Sequence, residues 1–373
     1  MEYRRLGRTG LSVSVLGVGC GYLSVLEYQA GARLLERAVE LGINYFDGRY
    51  GDSNQKLSPT LARQRDKIVV VTKTHETSAE GAMQRIDGDL GELKSDYIDI
   101  FLLRVADRDV LHQHLAPGGS FDGLLKARES GKIRFMGLSG HCDLPTLVEG
   151  MESGLVDVVL IPMNIVRREA LDWFIPQAQR MDVGVAVMKP VSVGTIPAHV
   201  ALPWLMNQPI HTMVPGVSTL AQLEENVAAV ERKTVALSPE EEAEVERWRQ
   251  RLDNQTCRIC DHLCGPDCEA KLFISATIHH DVWYNHYRNL GLEAFLAQPW
   301  APWAKRSLEG HFTWQLEQIR KCTFCGKCEE HCPYHLPVMD MLRTMIADHP
   351  PLIEALHKLG WATQFTDSES PYH

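Results

Sequence analysis

Eight short, apolar, β-branched runs, each followed by an amphipathic stretch, constrain this chain more than any other feature. The runs are 15–19, 44–47, 67–73, 97–103, 135–140, 158–164, 184–190 and 212–217. Between them, segments such as AGARLLERAVELG place apolar residues at helical spacing. Strands that are apolar nearly throughout are buried on both faces, which belongs to a parallel sheet rather than an antiparallel one. Eight such units predict an α/β fold, a (β/α)₈ TIM barrel. A doubly wound open sheet is the alternative, but no Gly-x-Gly-x-x-Gly turn follows the first run.

In a parallel barrel, chemistry collects where strands end and βα loops begin. Those ends carry Asp47, Arg49 and Tyr50, then Lys73 and His75, then Arg104, Ser139 and His141, Asn164, Lys189 and Ser218. Any one of these can be a loop-packing residue. An ionisable or polar group at almost every strand end instead predicts an active site.

Ten cysteines are present and eight of them fall between positions 257 and 332. Cys322, Cys325, Cys328 and Cys332, followed by Pro333, read C-x₂-C-x₂-C-x₃-C-P. That is the bacterial ferredoxin run for [4Fe–4S] clusters, whose fourth cysteine commonly ligates the other cluster of a pair. Cys257, Cys260, Cys264 and Cys268 are spaced x₂, x₃, x₃ and lack the proline. A second cluster, with His262 as a substitute ligand, and a zinc site are both compatible with that spacing. The expectation is two [4Fe–4S] clusters. About fifty residues separate the runs, so the layout resembles the α-helical ferredoxin modules of succinate dehydrogenase and related subunits. The aromatic stretch 279–289 reads as helix packing rather than a cofactor box.

The expected organisation is a barrel over 1–235, a linker helix over 236–255 opened by the cap Ser238, an iron–sulfur domain over 256–349 and a loosely held tail over 350–373. The net charge is −10 with no basic stripe, which argues against nucleic acid. The opening MEYRRLGRTG has no apolar signal core, and no apolar run reaches membrane-spanning length. A cytoplasmic protein without a membrane span is expected.

The segments EYRRLGRTGLSVSVLGVG, INYFDGRYGDSN, VTKTH and VPGVSTLAQLEEN resemble aldo-keto reductases in order and spacing over about residues 1–235. GLSGH and VMKP resemble the branch of that family with a C-terminal ferredoxin-type module. The resemblance implies catalytic roles for Asp47, Tyr50 and Lys73. A lysine ammonium lowers the pKa of a tyrosine so that it can give a proton to a carbonyl, and the aspartate orients the lysine. On this reading Lys73 packs no core, so its loss should stop turnover and spare the fold.

The chain departs from the family pattern in three ways. Three residue steps separate Asp47 from Tyr50 where five are usual. Arg104 stands in place of the catalytic histidine, and an arginine donates hydrogen bonds but gives up no proton. Leu160 replaces a carboxamide-binding glutamine, and Gly140 replaces an asparagine.

For the nucleotide, the resemblance implies Ser139 at the carboxamide, Gly216, Ser218 and Gln222 around the phosphates, and Glu225 and Asn226 at the adenine. The absence of Lys or Arg at 216, 218 and 222 favours NAD(H) over NADP(H), with binding of neither left open. Arg104, Arg49, Lys189 and His75 predict a small anionic substrate. The resulting expectation is an iron–sulfur oxidoreductase, with an atypical tetrad, that couples a two-electron reaction to one-electron transfer to a partner such as ferredoxin or flavodoxin. The alternative is an electron-transfer or redox-sensing subunit with a non-catalytic barrel.

Overall fold

The computed structural model describes residues 1–48, 51–140, 142–232, 235–258, 260–272, 274–279, 282–297 and 308–359. The chain divides into two compact units, Met1–Trp248 and Arg249–His373.

The first unit opens with an antiparallel hairpin of β1 (Tyr3–Arg5) and β2 (Ser12–Ser14). Eight strands follow: β3 (Val18–Gly19), β4 (Tyr45–Asp47), β5 (Val69–Thr74), β6 (Ile98–Val105), β7 (Ile133–Gly140), β8 (Val158–Pro162), β9 (Gly184–Met188) and β10 (Thr212–Val214). They pair in chain order, every pair parallel. Parallel bridges from Leu16 to Met213 and from Gly19 to Gly216 bring the first strand onto the last. Closure decides for the barrel and against the open doubly wound sheet.

Alternation along the strands sorts the core into two shells. Tyr45, Val69, Val71, Ile100, Leu102, Leu160 and Ala186 pack together inside the barrel, with Leu6 and Val13 of the hairpin among them. A larger shell, including Phe46, Val70, Phe101, Leu103, Leu138 and Val159, meets the surrounding helices. The hairpin closes the N-terminal end of the barrel. Gly7 has φ +47°, and a Cβ there would strike the Gly184 backbone, so only glycine fits.

Helices between the strands start where short polar side chains satisfy free N–H groups. Ser78 accepts from Gly81 N, Asp107 from Val110 N, Asp143 from Thr146 N and Thr219 from Gln222 N. Three strands end earlier than their apolar runs predict, each for a local reason. Past β8, Asn164 Oδ1 accepts from Val166 N and Arg167 N and turns the chain. Past β9, Lys189 takes φ +57° ahead of Pro190. After β10, Pro215 has no N–H to offer the ladder.

The expected linker helix spans Pro239–Asp253. Ser238 Oγ accepts from Glu241 N, and Glu241 Oε2 accepts from Ser238 N, a reciprocal capping box. Among its described residues the second unit is helical, with its longest helices at Leu308–Ile319 and Val338–Lys358 and a helical stretch Val282–Leu296 that is broken at Gly291, where φ is +74°. The helix Val338–Lys358 passes through Pro350 and Pro351, so residues 350–358, expected to open a loosely held tail, are helical. Burial of His349, Leu352 and Leu356 along one face holds the helix together across the prolines. Within the 279–289 stretch, Tyr284 is buried, donates to Asp348 Oδ2 at 2.5 Å and lies 5.1 Å from the His349 ring. This is packing inside the unit. His280 and Asp281 lie outside the described residues. Among the described residues, no helix is long and apolar enough to cross a membrane.

Candidate functional site

The C-terminal rim of the barrel brings together groups that are far apart in sequence. Asp47 ends β4 and Lys73 lies near the end of β5. Lys73 Nζ donates to Asp47 Oδ1 at 2.6 Å, and the residues are only 2% and 5% exposed. An ion pair so enclosed keeps both groups charged, because each would be costly to bury alone. Lys73 is therefore part of the buried framework, contrary to the expectation that it packs no core and that its loss would spare the fold. Cys20 sits beside the pair. Burial first, and then Asp47, push its thiol far above its ordinary range, so it stays protonated and is no nucleophile.

Among the described residues, Arg104, near the end of β6, has no hydrogen bond to a carboxylate. Its Nη1 lies 3.0 Å from His75 Nε2. A guanidinium only donates, so that nitrogen of His75 is the acceptor and the ring is neutral in this contact. The Arg104 carbonyl oxygen lies 3.0 Å from Nε2 of the buried His114, which anchors the end of β6. Arg49, Tyr50 and His141 lie outside the described residues.

Asn164 joins two further cations to the rim. Besides turning the chain towards Arg167, its Nδ2 donates to the Lys189 carbonyl at 3.3 Å. Arg167 is only 5% exposed. Burial, then Arg167, then Arg104 lower the Lys189 pKa to about 7. Sequence reasoning missed Arg167, which lies beyond the strand ends where candidate residues were sought. The signal available was its position three residues past Asn164, in the turn after β8.

The residues expected around a nucleotide are placed as follows. Ser139 is buried near the end of β7. Ser218 N and Oγ both donate to Gln222 Oε1, at 2.9 and 3.1 Å, across the start of the helix Leu220–Val230. Asn226 is buried on that helix and Glu225 is exposed. Gly216 packs against Tyr22, whose ring a Cβ at that position would strike. Leu160 belongs to the inner barrel core and presents nothing polar to the rim.

In the second unit, Cys257, Cys260, Cys264, Cys328 and Cys332 line one cavity, together with apolar side chains such as Leu263, Ile274 and Ile278. All eight cysteines of the two runs are free of disulfides. Among the described residues, no group of three or more His, Cys, Asp or Glu side chains is placed to hold a single metal ion. Cys268 Sγ accepts from Leu272 N, and Cys322 Sγ accepts from Phe324 N, each at 3.3 Å. Cys325 is exposed. The side chain of His262 lies outside the described residues.

A closed parallel barrel with a buried Lys–Asp pair and clustered cations at its C-terminal rim is built as an enzyme, because that rim is where such barrels carry their chemistry. The aldo/keto reductase family model matches residues 16–197. L-galactose dehydrogenase of Arabidopsis thaliana is 30% identical, over 69% of this chain and 97% of that protein. Pyridoxal 4-dehydrogenase of Microbacterium luteolum is 26% identical, over 53% of this chain and 72% of that protein. Among solved structures, an aldo-keto reductase of Bacillus halodurans shares the fold with a TM-score of 0.57, at 23% identity, over 66% of this chain and 96% of that one. The chain belongs to the aldo/keto reductase family and is an oxidoreductase.

Proposed function

We propose that the protein moves two electrons to or from a small anionic carbonyl or alcohol at the barrel rim, and that its second unit holds two [4Fe–4S] clusters. The observation that carries the reading is the sealed Asp47–Lys73 pair facing a rim rich in cations. Asp47 holds the Lys73 ammonium in place. Lys73 in turn lowers the pKa of Tyr50, the proton donor in this proposal, which follows Asp47 by three residues. Arg104, with no proton to give, orients the anionic group of the substrate.

A nicotinamide cofactor fits Ser139 and the start of the helix Leu220–Val230, and when bound it supplies or accepts the hydride. Gln222 is tied to Ser218 and is neutral, so positions 216, 218 and 222 offer no cation for a 2′-phosphate, which favours NAD(H) over NADP(H). Leu160 leaves the carboxamide to Ser139.

Thiols from both runs around one apolar cavity suit a cluster, whose corners stand farther apart than the ligands of a single ion. The shared cavity supports an exchange of fourth ligands, with Cys332 joining Cys257, Cys260 and Cys264, and Cys268 joining Cys322, Cys325 and Cys328. Such clusters supply one-electron transfer, here to a partner of the ferredoxin or flavodoxin kind.

Anaerobic analysis should find about eight iron and eight sulfide per chain, and NADH should bleach the cluster absorbance. About four of each, with zinc retained, would place zinc at the first run. The second reading is an electron-transfer or sensing subunit with a silent barrel, favoured by Arg104 in place of the histidine and by the withdrawal of Leu160. Full clusters with no response to either dinucleotide would select it.

A further inference from the structure

His114 is a buried titratable group that the proposed chemistry leaves unused. It lies in the last turn of the helix Arg108–Leu115, and Ser120 opens the next helix, Ser120–Glu129. Both residues are 0% exposed. A polar ring enclosed in this way is costly unless its nitrogens are paired, and here both are met. His114 Nε2 lies 3.0 Å from the Arg104 carbonyl oxygen, and because a carbonyl only accepts, Nε2 carries the proton. Nδ1 lies 3.0 Å from Ser120 Oγ, whose hydroxyl donates to the Glu76 carbonyl at 2.5 Å.

The two carbonyls at the ends of this chain of bonds belong to neighbouring strand ends. β5 and β6 pair as far as Thr74 and Leu103, and Glu76 and Arg104 lie just beyond that last rung. His114 and Ser120 therefore bridge the two strands where their own ladder has stopped. The bridge stands on a bonded turn. Ala79 N donates to the Gly118 carbonyl at 2.8 Å, and Gly118 N donates to Asp122 Oδ2 at 2.7 Å.

The same strand ends carry Arg104 and His75, whose side chains meet at 3.0 Å. Arg104 follows Ile100 and Leu102 of the inner core in the alternation of β6, which puts it on the inward side of the strand. An arginine has much rotamer freedom to lose when it grips an anion. Holding its backbone and its neighbour in advance lowers that cost.

We propose that His114 and Ser120 are positioning residues for substrate binding. Their bridge fixes the spacing of the β5 and β6 ends, and so sets where Arg104, with His75 against it, meets the anionic group. The inference rests on the anionic-substrate reading and deepens it.

Inorganic sulfate serves as the probe, titrated calorimetrically into the whole protein at constant ionic strength so that screening stays fixed. Arg104→Met should weaken its binding most. His114→Leu should weaken it about tenfold and Ser120→Ala about threefold, as expected when positioning hydrogen bonds are lost. His114→Gln has a donor for the Arg104 carbonyl and an acceptor for the Ser120 hydroxyl, so it should bind sulfate within about twofold of the parent.

Sulfate binding that depends on Arg104 but is unchanged in both His114→Leu and Ser120→Ala would overturn the positioning role and leave the anionic-substrate reading standing, even if both variants melt earlier. An equal loss in His114→Leu and His114→Gln would assign the effect to packing of the ring and also overturn it. Sulfate that fails to bind the parent, or that binds Arg104→Met as tightly, would remove both readings.

Discussion

Replacing Lys73 by methionine tests what the Asp47–Lys73 pair contributes apart from catalysis. At 2.6 Å, two unit charges attract by about 6 kcal/mol if the effective dielectric constant is about 20. Desolvating each ion costs several kcal/mol, so the intact pair contributes little net stability. Removing one partner is a different matter, because Asp47 is then left charged, 5% exposed and without its ammonium. Breaking a buried pair in this way costs about 3–5 kcal/mol. At about 2–4 °C per kcal/mol for a unit of this size, Lys73→Met should lower the melting temperature by about 6–20 °C. Asp47→Asn combined with Lys73→Met should recover most of that loss, since the second change removes the stranded charge. Differential scanning calorimetry of the two single variants and the double variant gives the coupling directly. A Lys73→Met protein melting within 2 °C of the parent would refute the argument, since the carboxylate would then have found water.

Four further outcomes follow from the structure. Asp99, 1% exposed, accepts from Arg134 at 2.7 Å and from Val70 N at 2.9 Å and pairs with Arg65 at 2.9 Å, so Asp99→Ala should cost about 3–5 kcal/mol in urea unfolding without changing dinucleotide affinity. Gly216→Ala should displace Tyr22 and weaken NAD(H) binding about tenfold, and combining it with Tyr22→Ala should restore affinity; unchanged fluorescence titrations would separate that loop from the cofactor. Gln222→Arg should shift preference towards NADPH, read as the ratio of the two dissociation constants. Because Lys189 has a lowered pKa, the unfolded chain binds more protons than the folded one between about pH 7 and pH 10.5, so this group makes stability rise with pH across that window. Thermal melts of Lys189→Met should show a flatter pH profile there than the parent, and identical profiles would refute the assignment.

The barrel was legible in the sequence because its strands are buried on both faces, and that condition writes a continuous apolar run that few other folds require. Strand ends were less legible. β8 and β9 stop where Asn164 bonds two backbone N–H groups and where Lys189 takes a positive φ, and both are conformational facts that an apolar run does not encode. The helical state of 350–358 was hidden for a similar reason. Two adjacent prolines suggest a break, but the helix Val338–Lys358 carries buried side chains on both sides of them, and packing outweighs the lost backbone hydrogen bonds.

The rim was legible as residue types but not as partnerships. Asp47 is held by Lys73, whereas Arg104 lies against His75. Sequence spacing cannot make that choice, because it depends on which strand ends face one another across a closed barrel. Arg167 was harder still, since its burial comes from a turn fixed by Asn164 rather than from any apolar pattern around it. The consequence for chemistry is specific. In this rim the cations lie on β6 and in the loops after β8 and β9, while the acid that orients the lysine lies on β4. The reading proposed above seats the anionic group of the substrate on Arg104. Swapping the charges, as in Arg104→Glu, should reverse the preference from anionic to cationic analogues if the rim is read in that way. If both classes of analogue are instead lost to the same extent, Arg104 shapes the rim and does not select by charge.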